Sequence, residues 1–110
     1  MGLRNLPCDK ATCLSDLIEA RPGQVSSMSL ASAHGIAATL LAFSAGESVS
    51  EEAYAGDTLY QCVDGRMALL LSAGRVEVAA GQVLCVPAGT MHAVESADGG
   101  SFKVLQLTVS

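Results

Sequence analysis

His92 closes the segment Gly81-Gln82-Val83-Leu84-Cys85-Val86-Pro87-Ala88-Gly89-Thr90-Met91-His92. A glycine turn opens a short apolar strand, Val83 to Val86, and Pro87 stops it. Pro87-Ala88-Gly89 then bends the chain, so that a single imidazole is aimed from the start of a new strand. An imidazole so placed can ligate a divalent metal, act as a general acid or base, or hold a hydrogen bond inside an apolar pocket. The second histidine, His34, stands beside Gly35 in a turn and is expected at the surface. Cys62 and Cys85 fall within apolar strands, where a thiol behaves as a small hydrophobe. Cys8 and Cys13 lack a second Cys/His pair at zinc spacing. The sequence contains no Gly-rich phosphate loop, Ser/His/Asp constellation or paired-Cys redox motif.

The elements that must position His92 are short strands. From Gln24 onward, apolar runs alternate with turn residues at intervals of roughly ten, the pattern of a sandwich or barrel. Strands are predicted over Val25–Leu30, Ile36–Phe43, Glu47–Glu51, Thr58–Val63, Met67–Ser72, Arg75–Ala79, Val83–Val86, His92–Glu95 and Phe102–Val109. Asp64-Gly65 and Ala73-Gly74 bracket one short strand, as in a meander of hairpins. Ahead of them, Ala11 to Ala20 carries Leu14, Leu17 and Ile18 at helical spacing and ends at Arg21-Pro22-Gly23, which predicts an amphipathic helix of one or two turns. The organisation expected is a leader and short helix over residues 1–23 and one β-barrel over residues 24–110, all-β overall.

A chain of 110 residues suffices for one domain with one modest core. Half its residues are apolar, yet it has no Trp, two Phe and two Tyr, so Leu, Val, Ile, Ala and Met must fill that core. The run Ala37 to Phe43 is apolar almost throughout, where a half-solvated strand should alternate. Both of its faces are therefore expected to be covered, and a homodimer is the expected assembly. The net charge of −5 and the lack of a Lys/Arg cluster argue against nucleic acid and against an anionic membrane surface. No signal-peptide run and no stretch of roughly 20 apolar residues is visible, so a cytoplasmic location with free thiols is expected.

The spacing Gly-x5-Pro-x-Gly-x2-His resembles the second signature motif of the cupin superfamily, save for a final asparagine that this chain lacks. The first cupin motif, Gly-x5-His-x-His-x3/4-Glu-x6-Gly, is recognisable through its framing glycines, Gly46 and Gly65. Its three polar positions fall on Glu52, Tyr54 and Thr58. The segments Ser50-Glu51-Glu52, Asp57, Gln61–Gly65 and Phe102–Leu105 are also similar to a group of small single-domain cupins, over about residues 14 to 109. The resemblance implies a double-stranded β-helix, or jelly-roll barrel, with its pocket at Glu52, Tyr54, Thr58 and His92. Tyr60 and Cys62 share strand parity with Thr58, so they join this pocket set if Thr58 points inward, and Cys62 is then the thiol to test for reactivity. Glu51 and Asp57 flank the loop and are expected to be solvated.

Two functions are consistent with these residues. One is a pocket that binds a small molecule, with His92 hydrogen-bonded to Glu52 or Tyr54. The other is a metal-dependent cupin enzyme of the oxygenase, isomerase or decarboxylase kind, with Glu52 and His92 as its remaining ligands. No cofactor is firmly implied: two good ligands make a weak site for Fe, Mn, Ni or Zn, because neutral Tyr and Thr hydroxyls ligate divalent ions poorly.

Overall fold

The computed structural model describes residues 2–110, and its regular secondary structure is almost wholly antiparallel strand. Nine strands run in chain order: β1 (Val25–Ala33), β2 (Ile36–Phe43), β3 (Val49–Glu52), β4 (Asp57–Asp64), β5 (Arg66–Leu71), β6 (Gly74–Ala79), β7 (Val83–Val86), β8 (His92–Ser96) and β9 (Phe102–Val109). They form a five-stranded sheet, β1-β2-β9-β4-β7, and a four-stranded sheet, β3-β8-β5-β6. All nine predicted strands are present, and β2, β7 and β9 have the predicted limits. β1 runs three residues past the predicted end, because His34 (φ 56°) and Gly35 (φ 77°) make a two-residue turn of the left-handed kind that suits a hairpin. β3 begins later than expected, since Glu47 N donates to Ser44 O and prolongs the preceding turn.

The predicted N-terminal helix is not formed. Leu14–Asp16 makes a single 3-10 turn, and no side chain caps its start. A ten-residue segment is too short to repay helix nucleation without strong caps. The tighter turn still delivers its apolar residues, because positions three apart eclipse in a 3-10 helix. Leu14, Leu17, Ile18 and Ala20, with Leu6, lie on the outer face of the five-stranded sheet against Leu30, Leu40 and Ala42. Lys103 Nζ donates to Ser15 O at 2.6 Å and pins the turn to β9.

The main core lies between the sheets. Phe43, Tyr60, Cys62, Val86, Phe102 and Val104 come from one sheet, and Met67, Leu69, Val78 and Val94 from the other. Cross-strand register orders the inner face of the larger sheet into rows. Phe43 pairs with Phe102, Leu41 with Val104, Thr39 with Gln106, and Ala37 with Thr108. The first of these rows is a ring stack, centroids 4.4 Å apart. Successive inward residues are thus apolar toward one end of the barrel and polar toward the other. The outer face of the smaller sheet carries an ion-pair lattice, Arg66 and Arg75 with Glu77 and Glu95, at 3.1 to 3.6 Å. Beneath these long side chains Ala68 is fully buried, which accounts for the two-sided apolarity of β5.

Gly65, the turn glycine between β4 and β5, has φ 74°, and a Cβ there would stand 2.5 Å from Ser101 O. Gly46 has φ 85° with open space around it. Gly65→Ala is therefore expected to lower unfolding free energy by more than the ~1–2 kcal/mol of left-handed strain alone, and Gly46→Ala by that strain only. Urea denaturation of the two variants checks this; equal losses would refute the backbone-approach argument.

Candidate functional site

The corner before His92 is built by contacts with the β3–β4 loop. Thr90 N donates to Pro87 O at 3.2 Å and closes the turn. Gly89 N donates to Tyr54 O at 2.8 Å, and Ala88 N donates to Asp57 Oδ1 at 2.8 Å. Asp57 is exposed as expected, but it also holds the corner in place. β8 then begins with His92, opposite Glu52 on β3, so the two side chains share a face.

His92 is 1% exposed, and both ring nitrogens are engaged. Nδ1 lies 2.9 Å from Thr90 O, and Nε2 lies 2.7 Å from Tyr60 Oη. A carbonyl oxygen can only accept, so Nδ1 carries the proton and donates it. The neutral ring then has one lone pair, at Nε2, and it accepts the Tyr60 hydroxyl. Tyr60 is itself 1% exposed and meets the imidazole edge-on, centroids 5.5 Å apart. Burial pushes its phenol well above the ordinary value of 10.0, with the neighbouring Tyr54 and Glu52 adding to the rise. The phenol is accordingly held as a donor.

Glu52 and Tyr54 form the second pair. Tyr54 Oη donates to Glu52 Oε1 at 2.7 Å, and the Tyr54 ring lies 5.9 Å from the His92 ring, tilted. Burial raises the Tyr54 phenol; the bond to Glu52 raises it further, while Gln106 pulls the other way. Thr58 is buried, its Oγ1 3.2 Å from Thr108 Oγ1. Cys62 is fully buried in the core, where its thiol points to Asp64 O (3.4 Å) and Gly65 O (3.5 Å). Desolvation pushes that thiol up, which disfavours the reactive thiolate. Cys85 is exposed rather than buried, because its side of β7 faces outward. His34 is exposed in its turn.

At the polar end of the barrel lies a cavity of about 320 Å³ lined by Ala37, Thr39, Tyr54, Gln106 and Thr108. Tyr54 is the one lining residue that the motif frame singles out. Thr39, Gln106 and Thr108 carry no motif. Their signal is the alternation Phe102-Val104-Gln106-Thr108 in β9, whose inward positions change from apolar to polar halfway along.

These donors do not fit a divalent metal. The His92 lone pair is spent on Tyr60, which leaves Glu52, itself hydrogen-bonded by Tyr54, as the one carboxylate paired with it across the strands. Among the described residues no group of three or more His, Cys, Asp or Glu is placed to hold a metal ion.

With two tyrosines and no tryptophan, phenolate absorbance reports this site directly. Both phenols titrate above 10.0 in the folded protein, so it holds phenolic protons more tightly than the unfolded chain does. Their contribution to stability is complete below about pH 10 and falls as pH rises beyond it. Spectrophotometric titration is expected to show little native phenolate at pH 10, against about half in denaturant. Tyr60→Phe should cost about 1–3 kcal/mol at neutral pH, by stranding a buried acceptor, and should shallow the alkaline loss. Normal titration of both phenols in the native protein would contradict the buried Tyr60–His92 pair.

Comparison with protein-family models and with the curated proteins finds no match. Solved structures do match. A cupin superfamily protein from Desulfitobacterium hafniense is 42% identical, with TM-score 0.92, over 97% of this chain and 96% of that one. A conserved protein of unknown function from Streptococcus pyogenes has TM-score 0.91 at 21% identity, over 100% of this chain and 95% of its own, and shares the fold. A cupin 2 conserved barrel domain protein from Leptotrichia buccalis, 27% identical with TM-score 0.81, aligns over 87% of this chain but 46% of its own length. Identity and coverage at the level of the Desulfitobacterium protein, on a barrel with the same two-sheet frame, mean that this chain belongs to the cupin superfamily.

Proposed function

We propose that this cupin binds a small polar molecule at the polar end of its barrel and that its histidine serves the site as a fixed structural group rather than as a metal ligand. The observation that carries this reading is the Tyr60–His92 hydrogen bond, which uses the one imidazole lone pair available. Metal binding at Nε2 would have to break a buried 2.7 Å bond and leave the Tyr60 hydroxyl without its acceptor. The cavity nearby is at the small end of the range for ligand pockets, roughly 300–1,000 Å³, and offers an amide, two threonine hydroxyls and a tyrosine for orientation. Tyr54, one of its walls, is held in place by its bond to Glu52.

A thermal-shift screen of small polar metabolites is expected to yield compounds that raise the melting temperature. Saturation at 100 times Kd corresponds to about 2.7 kcal/mol. Gln106→Leu should lower affinity for such a compound tenfold or more with little loss of stability, because Gln106 is only partly buried. A screen without a stabilising compound would count against the binding reading. Added Fe, Mn, Ni or Zn should leave the melting temperature unchanged; a rise that His92→Ala abolishes would restore the metal reading.

We also infer that two copies pair across the outer face of the five-stranded sheet. Ala38, Leu107, Leu59 and Cys85 form a cross-strand row there, with Ile36 and Val109 beside it. Ile36 and Val109 are 43% and 49% exposed, although the N-terminal segment covers the adjoining part of the same face. A flat apolar patch of this kind suits an isologous contact, in which both copies present the same surface. Light scattering is expected to give twice the chain mass, and Leu107→Glu to give a monomer. A monomeric wild type at tens of micromolar would refute the pairing.

A further inference from the structure

We propose that the cavity at the polar end of the barrel selects a compact organic ammonium ion and rejects carboxylates and phosphates of the same size. This rests on the binding reading above and adds the charge class of the ligand.

The positive charges of the protein lie away from this cavity. The chain has six Lys and Arg residues. Arg66 and Arg75 are paired with Glu77 and Glu95 on the outer face of the four-stranded sheet. Lys103 is held by Ser15 O on the outer face of the other sheet. Arg4, Lys10 and Arg21 are exposed and belong to the segment before β1. Among the described residues no Lys or Arg lines the cavity. An anion entering it would leave water without a positive partner, which is strongly unfavourable.

The lining groups favour the opposite charge. Tyr54 gives its hydroxyl proton to Glu52 Oε1, so its oxygen can accept both from the Gln106 amide and from a ligand. Gln106 contributes an amide oxygen, and Thr39 and Thr108 contribute hydroxyl oxygens. A primary ammonium carries three donors and no acceptor, so it can use these oxygens, while the same hydroxyls and amide can also donate and leave the choice of charge to the nearest ionised group. The Glu52 carboxylate lies one hydrogen bond behind Tyr54 and supplies the countercharge. The Tyr54 ring adds a π face to which a cation is attracted. The rise of the Tyr54 phenol caused in part by Glu52 is consistent with a negative potential at this wall.

The test is an NMR titration of the wild-type protein with three probes of matched length: n-butylammonium, butanamide and butyrate. Shifts are followed at the Gln106 side-chain amide and the Tyr54 ring. Expected is a Kd for n-butylammonium at least tenfold below that for butyrate, with butanamide between them. In Glu52→Gln, which keeps an acceptor for the Tyr54 hydroxyl, the preference should fall several-fold. Butyrate binding as tightly as n-butylammonium would overturn the proposal and leave the cavity a binding site without charge preference. Equal binding of butanamide and n-butylammonium would do the same. Absence of any shift at Gln106 or Tyr54 with all three probes would overturn the binding reading itself. The wild-type comparison decides the matter even if Glu52→Gln does not fold.

Discussion

The hydrogen bond from Tyr60 to His92 joins the two sheets inside the core, and the geometry of the site depends on it. Tyr60 is on β4 of one sheet and His92 on β8 of the other, and each is almost wholly buried. Two polar side chains in an apolar interior are tolerated only if each satisfies the other, because an unpaired buried donor or acceptor costs about 1–3 kcal/mol. The Thr90 carbonyl fixes the tautomer of the ring, and Tyr60 then takes its remaining lone pair. The corner at Pro87–Gly89 sets where the ring begins, and that corner is held by Tyr54 O and Asp57. Backbone turn, imidazole and phenol therefore form one connected unit.

The barrel separates its chemistry by direction. Along its length, the inner face changes from the stacked Phe43 and Phe102 to Gln106 and Thr108. Across its walls, the paired cations lie on the outside, and the polar end presents hydroxyl, amide and carboxylate oxygen. Because these features share one interior, a change in the charge or size of a single inward residue would alter the binding surface without altering the strand frame.

Much of this frame is legible in the chain itself. Gly81, Pro87 and Gly89 declare the strand, its stop and the turn, since each restricts the backbone wherever it stands. The same local logic locates β2, β7 and β9. It fails at residues 11–20, where helical spacing is present but the segment closes only a 3-10 turn. The spacing reports which residues must face the sheet, and the sheet accepts them in either conformation. At the site, the motif frame finds His92, Glu52 and Tyr54 but not their partners. Parity places Thr58, Tyr60 and Cys62 on one face of β4, yet it does not separate Tyr60, which meets His92, from Cys62, which lies deeper between Val104 and the β4–β5 turn.

What the amino-acid sequence determined alone is the set of strands, their turns and the superfamily resemblance, because each depends on residues near one another in the chain. Tertiary structure decided what His92 does. Its ring meets a phenol 32 residues away, and the cavity at the polar end is walled by β2, β9 and Tyr54, which the chain brings together from three separate segments. A lone pair has no fixed role until the fold brings its partner within hydrogen-bonding distance, and that distance is a property of two sheets packed together.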